Sequence, residues 1–143
     1  MHDSTPLNGS LWLQLKLTHD RIDALLERYF RPLGLSVVEV YILRSLYEMD
    51  GQTASELAHS VGRAPTSFTP NLNKLQAKGY IERHSVDTDK RVVAVRLTDK
   101  AFELRERLLR TLKELDEKCF QTLGASEFSG FLKAMSTLQN LNL

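Results

Sequence analysis

The chain has a single cysteine, Cys119, among 143 residues, which rules out an intrachain disulfide and a multi-cysteine zinc site. Its four histidines, His2, His19, His59 and His84, have no i, i+4 spacing and no cysteine nearby. That pattern argues against a metal centre, and neither metal nor cofactor is expected. No glycine-rich phosphate loop and no G-x-S-x-G elbow occurs. Helical Asp and Glu interleave with Lys and Arg as on solvated faces, so the chain does not read as an enzyme. No apolar run approaches the roughly 20 residues of a membrane span, and no membrane partner is expected. Residues 1–10 (MHDSTPLNGS) lack a basic start followed by an apolar block. No secretory leader is expected, and a cytoplasmic location fits best. Proline is scarce as well, four in all, yet Pro65 and Pro70 fall five residues apart.

What is present suits one globular domain: 42% hydrophobic and 26% charged residues, in a chain long enough to bury a core. Net charge is only +1, but its distribution is uneven. From Arg63 to Arg96 seven basic side chains face three acidic ones, whereas residues 1–50 hold five basic and seven acidic. A basic middle between acidic or neutral flanks suggests a local anion-binding surface. An uneven solvated surface is the plainer alternative.

The first pattern, Leu11, Leu15, Thr18, Ile22, Leu25, Leu26 and Tyr29, has helical period and stops at Arg31-Pro32-Leu33-Gly34. Ser36 with Glu39, and Thr53 with Glu56, make capping-box starts for two further helices. The first of these carries Val40, Leu43 and Leu46/Tyr47, and the second Leu57, Ala58 and Val61 before Gly62 ends it. After Lys78-Gly79, the stretches Tyr80–Arg83 and Val92–Leu97 read as strands joined by a polar hairpin loop, 84–91. Thr98-Asp99 starts a long helix with Ala101, Leu104, Leu108, Leu112, Leu115 and Cys119 on one stripe. Beyond Gly124-Ala125-Ser126, Phe128, Phe131, Leu132, Met135 and Leu138 form a last one. Cys119 is read as a structural side chain in its stripe.

The expected fold is therefore mainly α with a small β-hairpin: a winged helix-turn-helix flanked by helices at both ends. The outer helices carry broader apolar stripes than a winged module needs, which points to a second copy. An intrachain helical bundle is the alternative.

Residues 63–75, RAPTSFTPNLNKL, contain the prolines. With Phe68, Leu72 and Leu75 turned inward, a step of about 100° per residue sets Thr66, Pro70, Asn73 and Ala77 outward. Ser67, Thr69 and Lys74 flank them. Small polar side chains can bond base edges or phosphates and let the backbone approach a groove floor. Pro65 suits a first helical turn. Pro70 either interrupts a helix that begins at Ala64 or Pro65, bending it locally, or falls at N3 behind a Ser67 cap. The earlier start is preferred. The ring would then face the groove, where it can touch a thymine methyl, or else serves only to shape the helix start. In the hairpin, Lys90 and Arg91 sit at the tip. Arginine there suits a narrow minor groove, and Asp89 is placed to hold Arg91 extended. A winged helix that binds protein instead of DNA should lack both this tip and the Ser/Thr/Asn face.

The segments ASELAHSVG, TSFTPNLNKLQAKGYIER and DKRVVAVRLTDKA resemble the MarR (multiple-antibiotic-resistance regulator) family of transcription factors. The likeness runs from about residue 10 and is densest over 53–98. Leu75–Arg83 looks like the family's L-E-x-x-G-L-[IV]-x-R step, and Asp89-Lys90-Arg91 like its D-R-R wing. Val86 stands where the family usually has an acid, Pro70 where it often has a basic or polar residue, and Val40 where an aromatic is common. The resemblance implies a single MarR-like domain over 1–143, with 36–98 as the DNA-binding region and 7–31 and 99–143 as dimerisation helices. It implies a homodimeric regulator, expected to be a repressor, on a pseudo-palindromic double-stranded operator. The expected DNA contacts are Arg63, Thr66, Ser67, Thr69, Pro70, Asn73, Lys74, Lys90 and Arg91. It further implies an effector pocket for a small aromatic anion, with Trp12, His19, Tyr41 and Arg44 as candidate lining.

Overall fold

Helix α1 (Leu11–Phe30) opens the described part of the chain and ends in a 3-10 turn, Arg31–Leu33. Then come α2 (Val37–Glu48), α3 (Ala54–Ser60), α4 (Pro65–Ala77), β1 (Ile81–Val86), β2 (Asp89–Leu97), α5 (Asp99–Leu123) and α6 (Ala125–Gln139). The structure, a computed structural model, describes residues 10–86 and 88–142; positions 7–9 of the expected first dimerisation segment, together with His2 and Asp87, lie outside them. The architecture is mainly helical with one antiparallel hairpin, the winged-helix order expected. Two compact units are distinguished, one extending to Arg105 and one from Glu106 onward. Among the described residues no helix is long and apolar enough to cross a membrane.

Helix starts follow the local chemistry. The Ser10 hydroxyl accepts the Trp12 N–H at 3.2 Å. Both capping boxes form: Glu39 N–H to Ser36 Oγ with Ser36 N–H to Glu39 Oε2, and the same exchange between Thr53 and Glu56. Each satisfies donors that the first helical turn leaves unpaired. Gly34, at φ 70°, takes the left-handed backbone that turns the chain from the 3-10 segment toward α2.

In the first unit, Phe30, Val40, Ile42, Leu43, Leu57, Phe68, Leu75, Ile81 and Val95 form the buried centre. Each buried side chain of this size is worth about 1.5–3 kcal/mol of transfer free energy. Gln52 is buried with them, its amide donating to the Ser45 and Met49 carbonyls at 3.0 and 2.7 Å. It closes the C-terminal end of α2, adding a second donor to the Ser45 carbonyl, which accepts the Met49 N–H, and supplying one to the Met49 carbonyl. The Gln52 carbonyl in turn accepts the Val95 N–H at 2.8 Å, and Thr53 bridges Ala94, fastening the hairpin to the α2–α3 turn.

The hairpin differs from the expected one. Residues 84–91 are not wholly a loop: pairing continues through His84↔Ala94 and Ser85↔Val93, then shifts register to Val86↔Asp89. Polar side chains pass here because the ribbon's end is exposed on both faces, so the backbone ladder sets its length, not burial of one face.

In the second unit, Phe120 and Phe128 meet edge to face at 5.4 Å. Helix α6 buries none of its residues. The α5 stripe is buried at Ala101 and Leu108 but opens along its length, and Cys119 is exposed. Among the described residues nothing covers that end of the stripe, so the thiol is not buried as its position in the stripe led one to expect.

Candidate nucleic-acid interface

Helix α4 begins at Pro65, with Ala64 as an N-cap that offers no side-chain acceptor, and Pro70 lies inside it. The earlier start is therefore the one adopted. Pro70 has no N–H to give the Thr66 carbonyl, which leaves a helical bond unmade. At the helix start, the Ser67 N–H and hydroxyl both reach the Ala64 carbonyl, at 3.1 and 3.0 Å. Asn71 donates its amide to the Ser67 carbonyl at 3.2 Å. No acidic residue occupies the first turn, so the positive end of the helix dipole is uncompensated, which favours an anion there.

Phe68, Leu72 and Leu75 are buried, which turns Thr66, Ser67, Thr69, Pro70, Asn73 and Lys74 outward, all of them exposed. Among the described residues, no intrachain side-chain hydrogen bond engages Thr66, Thr69, Asn73 or Lys74. Arg63 is exposed one residue beyond Gly62 (φ 66°), its N–H bonded to the Ala58 carbonyl at 2.8 Å. Lys90 and Arg91 are exposed on the first residues of β2. Asp89 does order Arg91, but through the backbone: its carboxylate accepts the Arg91 N–H at 2.9 Å. No carboxylate among the described residues pairs with the Lys74, Lys90 or Arg91 side chains. Arg83 Nε donates to Gln76 Oε1 at 2.6 Å, tying the hairpin's base to α4.

The end of α4 holds a residue that sequence reading passed over. Lys78, its C-cap, places its ammonium 2.6 Å from Glu39 Oε2 and 2.9 Å from the Gly34 carbonyl. Glu39 is 1% exposed. Its capping role was visible from Ser36-x-x-Glu39, but nothing in the spacing announced a partner 39 positions away.

The effector candidates divide between two adjoining hollows. One, of about 330 Å³, is lined by His19, Asp23, Val37, Val38, Tyr41, Val61, Gly62 and Arg63. The other, of about 390 Å³, is lined by Tyr41, Arg44, Ser45, Glu48, Ser60, Val61 and Gly62. Trp12 belongs to neither and is 56% exposed on α1. Burial, with the Asp23 carboxylate second, raises the Tyr41 phenol above its ordinary pKa. Arg44 is paired with Glu48. Arg63, chosen as a DNA contact, thus shares a wall with His19 and Tyr41.

Residues 35–93 match the MarR family. Over 133 residues the chain is 26% identical to the uncharacterized HTH-type transcriptional regulator YwhA of Bacillus subtilis, covering 86% of this chain and 96% of that one. A MarR protein from Peptoclostridium difficile superposes with a TM-score of 0.82 at 21% identity, over 97% of this chain and 92% of its own. A mutant MarR from E. coli complexed with operator DNA gives 0.81 at 24% identity, over 90% and 92%.

Proposed function

We propose that the chain, whose residues 35–93 match the MarR family, is a MarR-type DNA-binding transcriptional regulator that acts in the cytoplasm as a homodimeric repressor of a pseudo-palindromic operator. The observation that carries this reading is the two-sidedness of α4. One face is locked in the core by Phe68, Leu72 and Leu75. The other offers Thr66, Thr69, Asn73 and Lys74, whose side chains make no hydrogen bond among the described residues. Side chains of this size and polarity bond base edges in the major groove. Arg63, beside the open start of α4, takes a phosphate, as does the Ser67 hydroxyl once it turns from the Ala64 carbonyl, and the Pro70 ring provides an apolar contact. Lys90 and Arg91 supply charge to the minor groove from the wing. The domain division carried by this reading is 36–98 for DNA and 7–31 with 99–143 for dimerisation, within one MarR-like domain over 1–143. Two copies set two α4 helices on half-sites about one helical turn apart.

A gel-shift titration tests the reading. DNA immediately upstream of the chain's own gene should bind in the nanomolar range typical of specific complexes, and random DNA of equal length about a thousandfold more weakly. Equal affinity for both would sink it.

A second function rests on the shared wall. A small aromatic anion seated against His19 and Tyr41 touches Arg63 and the turn that feeds α4, so its binding competes with the DNA-ready arrangement. Arg44 borders the adjoining hollow. Salicylate should raise thermal stability and weaken operator binding together; absence of both effects removes this site from the reading.

A further inference from the structure

We propose that Lys78 is a positioning residue that sets the recognition helix against the elements leading to both outer helices, and so selects the half-site spacing. The inference rests on the DNA-binding reading above. Lys78 is held from two sides. Its ammonium reaches the Gly34 carbonyl, just past the 3-10 turn that ends α1, and Glu39 Oε2 in the first turn of α2. Its own carbonyl accepts Lys100 Nζ at 2.6 Å, from the first turn of α5. The Lys100 ammonium also lies 4.7 Å above the centre of the Tyr80 ring.

Gly79 follows at φ 80°, a backbone conformation that L side chains rarely adopt; a Cβ there would meet Lys100 Cδ at an ordinary contact distance of 3.7 Å, so backbone conformation and not space calls for glycine. Thr98 Oγ1 caps the Gly79 carbonyl at 2.6 Å, and the Thr98 N–H bonds the Tyr80 carbonyl at 3.1 Å. The C-terminus of α4 is thereby stitched to the end of α1, the start of α2 and the start of α5 within a single turn of chain.

The chemistry favours geometry over stability as the role of the ion pair. Glu39 is buried, and its Oε1 has no hydrogen-bond partner among the described residues. Removing a carboxylate from water is costly, and a buried pair often gives no more stability than apolar side chains of equal size. What it does provide is direction: the ammonium must sit where Glu39 Oε2 and the Gly34 carbonyl converge. Phe68, Leu72 and Leu75 fix which face of α4 turns outward, but apolar contacts tolerate small shifts; pinning the C-terminal end through directed polar contacts narrows the range of half-site separations that the helix reads.

The test uses the full chain and a duplex library of randomised inverted repeats in which the spacer changes one base pair at a time. Wild type should prefer one spacing. Lys78→Met, which keeps the stem and loses the charge, should lose roughly tenfold on that spacing, the scale of one mismatched base pair, and discriminate less among its neighbours. Lys78→Arg should restore the preference. Adding Glu39→Gln to Lys78→Met removes the stranded carboxylate and should recover thermal stability without recovering the spacing preference. If Lys78→Met keeps the wild-type spacing profile, or if the double variant recovers stability and profile together, the residue is merely structural and the proposal is overturned. If wild type itself prefers no repeat over random DNA, the DNA-binding reading fails first and takes this inference with it.

Discussion

Helix α4 and the outer helices carry the same kind of apolar periodicity and spend it differently. In α4, Phe68, Leu72 and Leu75 are at most 2% exposed. In α1 and α6, Trp12, Leu13, Phe131 and Leu132 are all more than 40% exposed. A stripe covered inside its own unit builds a scaffold and frees the opposite face for work. An uncovered stripe is, in the proposed reading, itself the working surface, where a second copy would pack. The polar face of α4 and the apolar faces of α1 and α6 are, in this sense, counterparts.

The comparison breaks most sharply at α6. Phe131→Glu combined with Leu132→Glu should remove about 3–6 kcal/mol of association free energy and shift the protein to monomer in analytical ultracentrifugation, with helical content intact. Removing the chain from Ser126 onward should expose the remaining apolar surface and bring aggregation; a soluble, well-folded monomer from that truncation would contradict the proposed dimer. On the other side, Leu72→Ala should cost about 2–5 kcal/mol of unfolding free energy, read by denaturant titration, and should leave the oligomeric state of the folded fraction unchanged.

Smaller effects sharpen the division within the DNA surface. Asn73→Ala should cost roughly 1–3 kcal/mol on the operator and leave random-DNA affinity nearly intact. Arg91→Ala should weaken both and reduce the salt slope by about one per copy. Matching patterns for the two variants, in titrations at two salt concentrations, would end the assignment of base reading to α4 and charge to the wing.

The smallest expected effect lies where α2 meets the start of α5. The Tyr47 hydroxyl donates to the Ala101 carbonyl at 2.6 Å, and Arg105 stacks on its ring. Burial, followed by the neighbouring Tyr80, pushes the Tyr47 phenol up from 10.0 to about 12. The folded protein holds this proton longer than the unfolded chain does. Its contribution is therefore fully present below about pH 10 and fades as pH rises toward about 12. Tyr47→Phe should lower stability by about 0.5–1.5 kcal/mol at neutral pH and flatten that alkaline decline, followed by thermal melts across pH 8 to 12.

Much of this was readable from residue order. The Ser36/Glu39 and Thr53/Glu56 boxes, the inward set of α4 and the helix stop at Gly79 are local: caps act within three residues and helical faces repeat every three or four. The outward residues of α4 were legible for the same reason, since naming the buried face names the exposed one. The hairpin's length was not, because the pairing of His84 with Ala94 and Ser85 with Val93 depends on the backbone opposite, not on side-chain hydrophobicity. Neither was Gln52, whose amide closes α2 only because the chain turns back beneath it.

Folding alone brought Lys78 to Glu39 and Gly34, Lys100 to Lys78, and Arg63 into the same hollow as His19 and Tyr41. Charged and polar side chains of ordinary type mark no partner in one dimension, since each is equally at home in water. Which of them lose that water, and which group replaces it, depends on how elements far apart along the chain come together.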